Sequence, residues 1–114
     1  MCEFRVYSGL EGKQKLIVED VTNAKLDENS LILTDILGRT TSVEGALITE
    51  VDVKNELLRV YSAPLIFELL KLFVSYERRG RNALSQLESA WKTLKAKGDE
   101  VINSMKLTKG GTQN

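Results

Sequence analysis

Residues 47–73 read LITEVDVKNELLRVYSAPLIFELLKLF, and a change of period inside them decides the fold. Leu47, Thr49, Val51 and Val53 alternate with their neighbours, and an alternation of two puts them on one face of a strand. Lys54-Asn55 reads as a two-residue hairpin loop, and residues 57–61 return as a second strand. After Pro64 the period changes. Leu65, Ile66, Leu69, Leu70, Leu72, Phe73 and Tyr76 recur at helical spacings. Proline is suited to a first helical turn, because its φ is preset and its missing N–H has no partner to lose there. The chain passes once from strands to helices, which predicts an α+β fold.

Working toward the N-terminus, the segments are short and separated by turn residues. Cys2, Phe4 and Val6 fall on one face of a first strand. Residues 8–12, SGLEG, form a loop. Residues 16–18 are an apolar run that continues over 21–26 after a kink at Glu19-Asp20. Asp27-Glu28-Asn29 is a hairpin turn, residues 31–33 a strand, and the chain turns again around Asp35 and Gly38. Residues 39–43 are β-branched and polar, as suits an edge strand. Six or seven short strands joined by tight turns predict a small antiparallel β-barrel or sandwich over residues 1–62. A unit of that size buries little surface and needs the helices, a second copy, or both.

Toward the C-terminus, the first helix carries Arg78 and Arg79 in its last turn, and Gly80 ends it. It is apolar around much of its circumference, so it calls for cover on more than one side. A second helix over residues 82–97 has one stripe, Leu84, Leu87, Trp91 and Leu94. Gly98 is expected to end it, with a short third helix over 99–107 and a disordered tail over 109–114. The expected organisation is a β-domain at 1–62, a helical hairpin extension at 63–108, and the tail.

Composition narrows the chemistry. The chain has one cysteine and no histidine. Ser-His-Asp triads, Cys-His dyads and histidine-bearing zinc sites are excluded, as is an intrachain disulfide. There is no Gly-rich phosphate loop, no membrane-length apolar run and no signal-peptide pattern, so a cytoplasmic protein is expected. Net charge is zero, but residues 1–62 carry a net −4 and residues 63–114 a net +4.

Cys2 is the most suggestive residue. Removal of Met1 would expose an α-amine beside its thiol, and together they can chelate one metal ion in a five-membered ring. The amine's ordinary pKa of about 7.7–8.0 keeps the metal-binding neutral form within reach. The amide of Glu3 is a third donor if it deprotonates, and two chains supply four donors. Planar nitrogen and sulfur donors favour Ni(II) or Cu(II). The bland alternative is a small hydrophobe packed with Phe4 and Val6. Arg78, Arg79 and Arg81, with Lys92, Lys95 and Lys97, could contact phosphates. Solvation of a helix end is the simpler reading, because the chain is not basic overall and lacks an RNA-stacking motif. Glu19, Asp20, Asp35, Glu50 and Asp52 read as solvated carboxylates.

Met1-Cys2, the strand ending in Val6-Tyr7, LIVEDVT at residues 16–22, LILTDILG at 31–38 and VEGALITEVD at 43–52 together resemble the CooT family of small nickel-binding proteins. The resemblance spans residues 1 to about 62. It implies a β-domain that dimerises and a nickel ion held by Cys2, in service of a client metalloenzyme, nickel carbon monoxide dehydrogenase for the family's namesake. The family has also been labelled as RNA-binding. The helical extension departs from it. The reading is a non-catalytic, nickel-handling homodimer without enzyme activity, with RNA binding through Arg78, Arg79 and Arg81, or a structural adaptor role, as the alternatives.

Overall fold

The computed structural model describes residues 3–10, 13–80 and 84–113, with side chains to residue 107. Among these residues six strands come first: β1 (Phe4–Ser8), β2 (Lys15–Asp27), β3 (Ser30–Asp35), β4 (Thr40–Glu44), β5 (Ala46–Asp52) and β6 (Leu57–Ser62). Two helices follow, α1 (Pro64–Arg79) and α2 (Leu84–Gln113). The α+β class and the single change from strands to helices are as the sequence predicts.

The strands form one sheet in the order β4-β3-β2-β1-β6-β5. Every neighbouring pair is antiparallel except β1 and β6, which run parallel, with Arg5 opposite Leu57 and Ser8 opposite Val60. The expected antiparallel pairing therefore holds everywhere but here, and the sheet is mixed. A parallel pair needs a long connection between its members, and here β2 to β5 supply it.

The sheet is open, without a ladder between β4 and β5, yet it is rolled. These two strands lie at its opposite edges but are separated in sequence by Gly45 alone. The edges must meet at that corner. There Gly45 N–H donates to Asn29 O at 2.7 Å, and Ala63 N–H donates to Gly45 O at 3.2 Å. The expected small barrel or sandwich thus takes the form of a roll that is not closed, its edges touching at one end. Inside it lie Val6, Val21, Leu31, Leu33, Ala46, Leu58 and Val60, all buried, with Phe4, Ile17, Val18 and Val43 packed against them. β3 shows why: Leu31, Leu33 and Asp35 are buried in strict alternation with half-buried neighbours.

The turns follow the sequence with small differences. The kink in β2 is Asp20, at φ 59, whose carbonyl accepts the Ile36 N–H at 2.8 Å. The β2–β3 hairpin turns on Glu28-Asn29, with Glu28 at φ 57. The β5–β6 loop has four residues, 53–56, rather than two, because Asp52 is still paired and Leu57 begins β6.

Pro64 opens α1 and Gly80 closes it, donating to Tyr76 O. No residue of α1 is buried. Ile66 and Leu70 are half-buried, and Phe73 is exposed. The helix meets the sheet mainly at its start, where Phe67 packs over Gly45. A Cβ at Gly45 would lie 2.7 Å from Phe67 Cβ and 2.8 Å from its backbone N, so only glycine admits the helix this closely. At the other end Arg78 reaches Glu28 at 3.0 Å and Asp27 at 3.8 Å.

α2 runs unbroken from Leu84 to Gln113, which corrects both the stop at Gly98 and the separate third helix, and the backbone continues as helix past residue 109. A lone glycine costs a helix interior only about 1 kcal/mol relative to alanine, and no left-handed turn forms at Gly98. Gly98 instead marks where α2 passes the start of α1, where a Cβ added to it would lie 4.0 Å from Leu65 Cδ2. The apolar stripe carries on across it to Val101 and Met105. Among the described residues no helix is long and apolar enough to cross a membrane.

Candidate functional site

Cys2, the residue the sequence singles out for metal, lies outside the described residues, as does Arg81. The structure does show what the chain just after Cys2 does. Glu3 N–H donates to Glu56 Oε2 at 3.0 Å, and Arg5 N–H donates to the Glu56 carbonyl at 3.0 Å. The Arg5 guanidinium reaches Asn55 O at 3.3 Å. The start of β1 is thus pinned to the β5–β6 loop at one end of the rolled sheet. From there the alternation is as expected: Phe4 packs on the core, Arg5 is exposed and Val6 is fully buried.

That loop is itself fixed. Asp52 accepts the Asn55 backbone N–H at 3.1 Å and its side-chain amide at 2.9 Å. The Asn55 side chain, then its backbone N–H, hold the Asp52 carboxyl below its ordinary 3.8, against a smaller opposing effect of desolvation.

The pinning bears on the metal donors. An amide that donates to a carboxylate keeps its proton, since the bond favours the N–H form. The Glu3 nitrogen is therefore engaged as a donor and is not free to ligate while the bond to Glu56 stands. Among the described residues no group of three or more carboxylate, cysteine or histidine side chains could hold a metal ion.

The other candidates have structural work. Arg78 pairs with Asp27 and Glu28, and Arg79 donates to Gln86 Oε1 at 2.6 Å. Glu50 lies 3.0 Å from Arg59. Asp35 is the surprise, because sequence reasoning placed it in a solvated turn. It is only 7% exposed, at the third inward position of β3. Its Oδ1 accepts the N–H groups of Leu37 and Arg39, both at 2.9 Å, and its Oδ2 pairs with Arg39 Nε at 2.8 Å. The alternation through Leu31 and Leu33 was the signal that could have found it.

The β-domain matches known proteins in sequence and fold. A family model for the CO dehydrogenase accessory protein CooT matches residues 1–58, which ends before α1. A crystal structure assigned to CooT from Carboxydothermus hydrogenoformans superposes with a TM-score of 0.51 at 21% identity, covering 54% of this chain and 98% of that one. At that identity the likeness speaks for the fold, and nearly half of this chain has no counterpart there. No curated protein matches the sequence. The chain belongs to the CooT family, by the match of its first 58 residues to the CO dehydrogenase accessory protein.

Proposed function

We propose that this chain is a non-catalytic accessory protein that handles nickel through Cys2, working in the cytoplasm as a homodimer that serves a client metalloenzyme of the carbon monoxide dehydrogenase kind. The observation that carries the reading is the family match over residues 1–58 in a chain whose only cysteine is Cys2 and which has no histidine. Once Met1 is removed, Cys2 offers an amine and a thiolate. Two copies then offer a complete N₂S₂ set, the planar donor type that nickel(II) prefers. The hydrogen bond from Glu3 N–H to Glu56 supports two donors per chain over three, and so one metal per two chains. No observation favours RNA: Arg78 is paired with acidic residues and Arg79 with Gln86.

The test is nickel titration of the purified protein, with its N-terminal mass read in parallel. The expected result is one nickel per two chains and a near-ultraviolet thiolate-to-metal absorption band. Cys2→Ser should abolish the band and most of the affinity, and protein that retains Met1 should bind more weakly with its thiol intact. Nickel uptake unchanged by Cys2→Ser would end the proposal.

A further inference from the structure

The helical hairpin is unfinished as it stands in one chain. α1 buries nothing fully. Leu69, Phe73 and Tyr76 of α1 are 38%, 57% and 61% exposed, and Leu84 and Trp91 of α2 are 60% and 52% exposed. Between them runs a groove of about 420 Å³ lined by Leu72, Phe73, Tyr76, Leu87, Trp91 and a single charged residue, Glu88. The molecule is drawn out to match, with a radius of gyration of 17.1 Å, where a compact chain of this length has about 13 Å.

The pattern along α2 says what fits there. Leu84, Leu87, Trp91, Leu94, Gly98, Val101 and Met105 recur at alternating spacings of three and four, a heptad seam three repeats long. Leu87, Leu94 and Val101 are half-buried, while Leu84, Trp91 and Met105, seven and fourteen residues apart, stay exposed. Glu88 and Lys95, also seven apart, flank the exposed positions. If two such helices cross antiparallel near Trp91, Leu84 of each faces Val101 of the other, Leu87 faces Gly98, and Glu88 of each meets Lys95 of the other. The seam is self-complementary in both packing and charge.

We infer that the hairpins of two copies of this chain pack face to face into a four-helix bundle, with α2 antiparallel to α2 of the second copy and Trp91 beside the two-fold axis. The overlap from Leu84 to Val101 is about 27 Å long and two helices, about 20 Å, wide. That gives roughly 500 Å² per copy, about the 1,000 Å² in total that a specific interface needs. The inference deepens the homodimer proposed above by placing its contact on the helices that the family model does not cover. It is independent of the metal at Cys2.

Light scattering and sedimentation of the full chain, with Trp91 as the one tryptophan reporter, test it. The wild type is expected to be a dimer at about 50 μM, with Trp91 emission shifting to the red on dilution. Trp91→Glu should be monomeric at the same concentration, with its circular dichroism retained. Glu88→Lys and Lys95→Glu should each weaken the dimer about five- to tenfold, since each places two like-charge pairs across the axis, and the double swap should restore it. A monomeric wild type overturns the inference. So does a dimer that Trp91→Glu leaves intact, which would put the contact on the sheet, or a double swap as weak as the single ones. If Trp91→Glu fails to fold, the charge-swap set decides. Loss of nickel in a Cys2→Ser protein that remains dimeric would separate this inference from the metal reading.

Discussion

Asp35 carries the clearest lesson at the scale of single residues. Burial pushes its carboxyl up, but the Arg39 backbone N–H, the Arg39 guanidinium and the Leu37 N–H together outweigh that and hold it below the ordinary 3.8. A carboxylate with a depressed folded-state pKa adds stability above the unfolded-state value, and that stability fades as pH falls through the folded value. Asp52 shares the sign. The protein should therefore lose stability below about pH 4. Asp35→Asn should unfold at lower urea than wild type at pH 7, and its midpoint should fall less steeply on acidification from about pH 5 to 3. Parallel curves for the two proteins would show that the charge of Asp35 contributes nothing. The sequence placed Asp35 in a turn and missed its burial. Strand periodicity marks which face a residue occupies, whereas the donors that make a buried carboxylate tolerable come from a loop whose path is set by the fold.

Among the elements, α2 departs most from what its sequence suggests. Gly98 looked like a terminator because glycine usually ends helices in a left-handed conformation. Here it stays helical, with Leu65 Cδ2 at 4.0 Å, the range of an ordinary contact for an added methyl. Gly98→Ala should accordingly stabilise the protein by about 1 kcal/mol, through helix propensity and without a clash. A urea titration followed at 222 nm would show it. A loss of stability would mean that α2 must bend or pack more tightly at that point. Pro64 and Gly80 show the opposite case. Both ends of α1 were legible because each is a local backbone requirement, met by the residue's own φ and hydrogen-bonding groups.

Across the whole molecule, packing is uneven. Among the described residues, the buried apolar ones all belong to the rolled sheet, and none to α1. Hydrogen exchange should reflect this: amides of β1, β3 and β6 are expected to be the slowest, and those of α1 and α2 to open more readily in dilute protein. If the hairpin assembles as inferred, its amides should gain protection as concentration rises while those of the sheet do not change. Hairpin amides as slow as those of β3 at the lowest concentration would contradict the unevenness itself.

By itself the sequence determined the strands, most of their turns and both ends of α1, and it limited the chain to a single thiol and no imidazole. These are set by periods of two and three to four, by glycine and proline backbone preferences, and by which side chains exist at all. The tertiary structure alone decided that β6 lies parallel beside β1, that the sheet rolls until its edges meet at Gly45, and that α2 runs through Gly98. It also decided that a face of the hairpin is left open. Strand order and the cover of a helix depend on which distant surfaces come together. That is a competition between closure entropy and burial over the whole chain, and it leaves no periodic trace in any one segment.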